Sequence, residues 1–386
     1  MNSKVRIERL VLNNYRNHKF LSLDISKDII VIYGKNGSGK TNILESISLF
    51  DSYNGLRNSK FSEIIKEDIK GPLELFGVNL SIFSGELASQ LGLGFRKDFN
   101  NFKKIFSVNG KRTNTVFLKN LMNVFWIVPR MTYLFQNSPE ERRSFIDLMI
   151  SSIDASHKKK LVIYEKYKQE RIKILKNQLS RNQTDWLDII EKKMASVGIM
   201  LCDSRRSFLK TINANFQKIN SDMPQLKIEF NGELDEALLN QPALEVEELF
   251  YKNLKKNRKK DFLTGRTNFG ANKTDLLVYD IKDGREAKKF STGEQKLIVL
   301  SLVFSFIKYL KINNLSNVIF LLDDIFSYLD IKFIFTILEK LNDLNIQTWI
   351  TDVRGDWVLK NNRFYTMIDK INIDDKRFKV VNNRLY

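Results

Sequence analysis

The chain has 386 residues, 43% hydrophobic and 28% charged, enough to bury a sizeable core and to form two lobes or three. Sixty-three Lys and Arg against 45 Asp and Glu leave +18 at neutral pH, which draws a polyanion, nucleic acid first, although a Lys-, Asn- and Ile-rich composition gives the same excess. One cysteine, Cys202, excludes an internal disulfide. The only histidines, His18 and His157, add no metal-site spacing, and no apolar run reaches the roughly 20 residues that span a bilayer, so a reducing, cytoplasmic setting without a membrane is expected.

Residues 5–12 (VRIERLVL) alternate as a half-buried strand, and DIIVIY at 28–33 is a buried strand running into GKNGSGKTN at 34–42. Two glycines five apart, followed by Lys40 and Thr41, fit a loop whose backbone N–H groups wrap the β- and γ-phosphates of a nucleotide. Ile43, Leu44, Ile47 and Phe50 then recur at helical spacing, so the positive end of a helix faces the same anion. Gly34, Asn36, Gly37, Gly39 and Asn42 are expected to shape this ATP site, with Lys40 as point charge and Thr41 as Mg²⁺ ligand. A glycine-rich turn without a ligand is the plain alternative.

From about 75 to 118 the pattern is one of short strands, with Asn109-Gly110 marking a type I′ hairpin whose tip carries Lys111 and Arg112. Between Pro139 and Pro224 no proline interrupts a Lys-, Glu-, Gln- and Leu-rich stretch, which predicts long helices. The basic run KNLKKNRKK at 252–260 reads first as a solvated helix face, and FSTGEQK at 290–296 as a capped helix start able to hold an anion. VIFLL at 318–322 is a buried strand ended by two aspartates: Asp323 at the Mg²⁺ position and Asp324 facing the space beyond the γ-phosphate, unless both merely cap the next helix. QTWIT at 347–351 predicts a further strand. Phosphate loop and aspartates stand at opposite ends of the chain, so one α/β sheet must be assembled from both, around an insertion.

Gly34 to Asn42, the early YRNH, STGEQK and LLDDIFSYLD together resemble the head of the SMC and ABC-type ATPases, and within them the RecF family of bacterial recombination-repair proteins. LRNS bearing Arg57, VNG at 108–110 and SPEERRSFID at 138–147 extend the likeness over most of the chain. The resemblance implies a P-loop ATPase head from 1–128 and 268–386 and a mostly helical inserted lobe at 129–267. It adds Arg16 and Asn17 to the ATP contacts, and makes Ser291, Gly293, Glu294 and Gln295 a signature acting in trans. Asp330 falls at the D-loop position, and Thr351 stands where transporter ATPases have a switch histidine. Three departures from the family pattern bear on hydrolysis: Arg130 after Pro129, Asn272 in GANKTD where a histidine is usual (Asp275 is retained), and Tyr328 in SYLD where a carboxylate often sits.

By the same resemblance, the protein is expected to be an ATP-dependent homodimer on duplex DNA near single-strand gaps, hydrolysing Mg·ATP slowly to let go, and helping RecO and RecR to load RecA in repair and replication restart. Arg57, Lys60, Lys103, Lys104, Lys111 and Arg112 are the expected DNA-phosphate contacts, followed by Lys255, Lys256, Arg258, Lys259 and Lys260; solvated surface is the alternative for each. A non-hydrolysing ATP-gated clamp and a transporter-type ATPase subunit are the other readings. Long coiled-coil arms are opposed by the length of the chain.

Overall fold

A computed structural model describes residues 4–51, 55–65, 76–85, 87–98, 101–177, 181–216, 224–313, 317–327, 329–354 and 367–374. In chain order the elements are β1 (Val5–Tyr15), β2 (His18–Asp24), β3 (Ile29–Tyr33), α1 (Lys40–Ser48), α2 (Phe61–Ile64), β4 (Gly77–Ser84), β5 (Leu87–Asp98), β6 (Asn101–Val108), β7 (Lys111–Thr113), α3 (Thr115–Leu121), β8 (Asn123–Ile127) and α4 (Pro129–Thr132). There follow α5 (Pro139–Ile153), α6 (Ala155–Lys176), α7 (Arg181–Phe216), β9 (Leu226–Asn231), α8 (Glu233–Asn240), α9 (Ala243–Lys256), α10 (Arg258–Thr264) and β10 (Asp275–Asp280). The chain closes with α11 (Thr292–Ile312), β11 (Val318–Asp323), α12 (Ile331–Asp343), β12 (Thr348–Asp352) and β13 (Ile368–Asn372).

Two compact units result, one built from the chain's two ends, up to Thr132 and from Leu310 on, and one spanning Tyr133–Tyr309. The segment 268–309, which the sequence reading groups with the head, packs with the second unit. Among the described residues no helix is long and apolar enough to cross a membrane.

In the first unit, five strands form a parallel sheet in the order β13-β3-β12-β11-β8. Every residue of β11 and β12 is buried, the mark of strands covered on both faces, and α1 packs across β8, β11 and β12. Register aligns Thr351 with Ile32 on one side and with Asp323 on the other, so β3, β12 and β11 deliver their carboxyl ends to a common edge. Ligands of open α/β sheets bind at such an edge.

The second sheet of this unit is antiparallel and six-stranded, β2-β1-β4-β5-β6-β7. The turn at Asn109 (φ 49°) and Gly110 (φ 76°) forms the expected hairpin, Val108 pairing with Lys111. The strands before it are longer than the pattern suggests, β5 reaching 12 residues, because alternation is masked where Gly92 and Gly94 stand at outward positions. Gln347, fully buried, joins the two sheets: Ile7 N–H donates to its Oε1 (2.8 Å) and its Nε2 donates to Ile7 O (2.9 Å), a side chain acting as one rung of strand pairing.

The second unit holds the long helices that the proline-free stretch predicts, α7 running for 36 residues. Tyr164, Met194, Cys202, Val246, Phe250 and Phe269 lie in its core. Gly198 and Gly270 are required there, since a Cβ would come within 2.5 Å and 2.4 Å of the Phe250 ring. Burial pushes the Cys202 thiol up to about 12, so it packs as an inert apolar group. Two ionic clusters tie the helices. Arg171, fully buried, donates to Glu191 (2.8 Å), Asp261 (2.7 Å) and Leu254 O (2.8 Å); Arg205 donates through Nε and Nη2 to both oxygens of Asp147 (2.9 and 2.8 Å) and to Ala271 O (2.7 Å). Every buried charge in them has a partner, as burial demands.

Candidate active site

The loop after β3 closes on itself. Gly34, Gly37 and Gly39 take φ of 152°, 79° and 101°, conformations that only glycine holds without strain. Close approach adds a second requirement at two of them: a Cβ on Gly39 would come within 2.6 Å of His18 Nε2, and on Gly34 within 2.8 Å of the Ile373 side chain, whereas Gly37 faces open space beside the exposed Asn36. Lys40 Nζ, almost wholly buried, donates to Gly34 O (2.7 Å) and Lys35 O (2.9 Å), which leaves its third hydrogen for an anion in the loop. Burial pulls its pKa down, and the carboxylates of Asp324, Asp374, Asp323 and Asp352 act against that.

Thr41 opens α1 with its hydroxyl donating to Asp323 Oδ1 at 2.8 Å, a contact between residues 282 apart in sequence. Thr351 donates to the same oxygen at 2.8 Å and accepts from the Asp324 N–H at 3.0 Å, so one threonine sets the side chain of the first aspartate and the backbone of the second. Asp324 needs that support because its φ is 47°, uncommon for a residue with a side chain. Its carboxylate accepts from the Ser327 hydroxyl. Burial raises the Asp323 pKa, opposed by the two threonine hydroxyls and by the charge of Arg57.

The donor set suits Mg·ATP. Thr41 Oγ1 and the Asp323 carboxylate are hard oxygens brought together at a helix N-terminus, and the Ser38 hydroxyl in the loop is buried with no hydrogen-bond partner among the described residues. No group of three or more His, Cys, Asp or Glu able to hold a metal occurs among the described residues.

The residues expected around this loop divide. Asn17 lies over it, donating to Ser38 O (3.2 Å) and accepting from Asn42 Nδ2 (2.7 Å). Arg16 instead turns its guanidinium onto the fully buried Glu45, Ser59 Oγ (2.6 Å) and Glu63 O (2.9 Å), where it braces α1 against the 59–64 segment. Arg57, expected on DNA, donates to Asn42 Oδ1 (2.8 Å) and lies 3.8 Å from Glu45, beside the phosphate loop. Sequence reading missed Asp374, which accepts the Lys35 N–H (2.7 Å), and Glu45, whose only signal is a carboxylate on the apolar side of an otherwise regular helix.

In the second unit, Ser291 precedes α11 and forms a capping box: its N–H and Oγ donate to Glu294 Oε2 (2.8 and 2.7 Å), holding that exposed carboxylate below its ordinary range. Glu294 therefore occupies the N-terminus of α11, where the sequence leads one to expect an anion, and a Cβ on Gly293 would meet nothing within 4 Å. Gln295 is buried and donates to Phe290 O (2.9 Å), a support for the turn rather than a surface contact. Asn272 accepts from Tyr164 OH (2.9 Å), and Asp275 is clamped by Arg142 (2.7 and 2.9 Å). In the first unit Arg130 and Asp330 are exposed; Tyr328 lies outside the described residues.

Register splits the basic hairpin. Lys103 is opposite Arg96 and Arg112 opposite Ser107, which puts Lys103 and Arg112 on one face. Lys104 and Lys111 share the other face with the buried Phe106. Lys60 is exposed at the start of α2. Lys255 and Arg258 are spent on Asp188 and Glu191 within the second unit, while Lys256, Lys259 and Lys260 stay exposed.

The RecF/RecN/SMC N terminal domain model matches residues 6–373. The DNA replication and repair protein RecF of Rickettsia prowazekii (strain Madrid E) is 34% identical over 348 residues, 89% of this chain and 93% of that protein. That of Rickettsia typhi (strain ATCC VR-144 / Wilmington) is 34% identical over 364 residues, covering 91% and 95%. Among solved structures, the recombination mediator protein RecF with ATP, in the RecFOR pathway, aligns with a TM-score of 0.77 at 24% identity over 92% of this chain and 94% of that one. An Smc head bound to the C-winged helix domain of ScpA aligns with a TM-score of 0.51 at 17% identity over 92% and 91%. With the α/β fold, the phosphate loop and the paired aspartates in place, the chain belongs to the RecF family within the RecF, RecN and SMC group of proteins.

Proposed function

We propose that the chain is a cytoplasmic, ATP-dependent DNA-binding protein of recombinational repair and replication restart, with a slow ATPase that governs how long it stays on DNA. The observation that carries this reading is the convergence of Thr41, Asp323 and Thr351 beside Lys40 at the carboxyl edge of the parallel sheet. Bound Mg²⁺ supplies charge neutralisation at the phosphate oxygens, with Thr41 and Asp323 as its protein ligands. The loop N–H groups and Lys40 hold the triphosphate, and Asp324 orients the attacking water. Ser291 and the N–H groups near Gly293 of a second copy complete the site in an ATP-dependent homodimer, once Glu294 swings off the helix end. Hydrolysis removes the shared anion and loosens the pair.

Duplex DNA, gapped DNA in particular, is the polyanion matched to the +18 charge, with Lys103 and Arg112 as contacts on one sheet face. The naming of a structural relative as a recombination mediator in the RecFOR pathway supports a place in that pathway, and we extend this to a role beside RecO and RecR in loading RecA. A second reading, a clamp that binds ATP without turnover, is favoured by the Asp324 carboxylate being turned onto Ser327.

Phosphate release with and without duplex DNA, combined with sedimentation with and without Mg·ATP, tests the proposal. Slow, DNA-stimulated release and ATP-driven dimerisation that Lys40→Ala abolishes are expected. Dimerisation without any release selects the second reading, and a monomer in excess Mg·ATP refutes both.

A further inference from the structure

The second unit contains a pocket of about 840 Å³ between α5, α6, α7 and the loop that leads into β10. That volume lies in the range of small-molecule sites. Its wall is uneven in charge. Arg205 is paired with Asp147 and Lys168 with Glu165, but Arg143, Lys173, Lys176, Arg266 and Lys273 face a single further lining carboxylate, Glu140. Arg143 is half-buried on α5 and spends one guanidinium hydrogen bond on Thr274 O (2.6 Å), so most of its fork remains for an acceptor. Burial and the nearby Arg205 charge pull its pKa down, and the carboxylates of Glu140, Asp147 and Asp275 act against them.

The remaining wall is apolar or neutral. Leu161, Leu201 and Ala271 line it, and the Tyr164 phenol, kept protonated by burial, is locked to Asn272, whose Nδ2 donates to Thr267 O (3.1 Å). A concave site whose lining combines these cations with apolar residues suits an organic anion better than a bare ion. The cations are placed for phosphate, which takes bidentate bonds from Arg and point charges from Lys.

From this arrangement we infer that the pocket is a second anion site, independent of the phosphate loop, that takes a small phosphorylated ligand of nucleotide size. Phosphates sit on Arg143, Lys173, Arg266 and Lys273, and the organic part lies against Leu161 and Leu201. Such a ligand bridges α5, α6 and the 265–273 loop and so stiffens the second unit.

The test uses the full chain carrying Lys40→Ala, which weakens the loop's own hold on phosphate, titrated by calorimetry with inorganic pyrophosphate and with ADP. Binding of either that weakens at least tenfold on adding Lys173→Gln and Lys273→Gln is expected. Both lysines are exposed, so little change in melting should accompany the loss. Two results overturn the inference: no heat with either ligand, or binding that the double substitution leaves intact. In the unsubstituted chain, loss of one site with retention of the other separates failure of this inference from failure of the ATP-site reading.

Discussion

Replacing Thr351 by Val keeps the volume and removes one hydroxyl. In the native structure that hydroxyl donates to Asp323 Oδ1 at 2.8 Å and accepts from the Asp324 N–H at 3.0 Å. The N–H keeps a partner in Thr351 O at 3.2 Å, so the loss falls mainly on the Asp323 carboxylate, which is only 7% exposed and among the described residues retains the Thr41 hydroxyl. A hydrogen bond to a charged group is worth about 1.5–3 kcal/mol, and each 1.4 kcal/mol is tenfold. The Mg²⁺ concentration for half-maximal phosphate release should therefore rise about 10- to 100-fold. Thr351→Ser should stay within a few-fold of wild type, and a fluorescent ADP bound in EDTA should show an intact loop. A Thr351→Val enzyme whose Mg²⁺ midpoint is unchanged refutes the idea that this threonine organises the aspartates.

Asp323→Asn should abolish hydrolysis yet raise the melting temperature of the ligand-free protein at neutral pH. Because burial lifts this carboxyl's pKa on folding, its protonated form is favoured in the native state, and stability falls as pH rises from the ordinary 3.8 through the raised value; the gain from Asn should shrink toward pH 4 in a melting series. Asp147 has the opposite sign: burial alone would lift its pKa, but Arg205 and His157 outweigh it and hold the group at about 2. Its contribution is complete above 3.8 and is lost as pH falls toward about 2, and Asp147→Asn, which strands Arg205, should cost about 3–5 kcal/mol in urea unfolding. On DNA, Lys103→Ala and Arg112→Ala should each reduce the slope of log K against log salt by about 1, and a slope that neither changes removes that sheet face from the interface.

The phosphate loop was legible because it is local: glycine spacing, Lys40, Thr41 and the apolar helix that follows are read in one window. The strands β3 and β11 were legible because IIVIY and VIFLLD are buried almost throughout and so read as unbroken apolar runs. Roles that depend on distant partners were not. Nothing near Arg16 in sequence announces Glu45 or Ser59, and nothing near Lys255 and Arg258 announces Asp188 and Glu191. Cations look alike until their counter-charges are placed. Sheet register gave the sharpest revision, since Lys103 and Lys104 are adjacent in sequence yet point to opposite faces.

The separation of Thr41 from Asp323 by 282 residues also sets a timetable for synthesis. At ~5–20 residues per second, a ribosome takes roughly a quarter of a minute to a minute between emitting the two halves of the pocket. Through that interval β3, an apolar ribbon made to be sandwiched, has neither β12 nor β13 to pair with. Nascent chains of this protein should therefore lean on holdase chaperones until β12 and β13 appear near the end of the chain, and any premature stop before β11 yields a product without a nucleotide pocket.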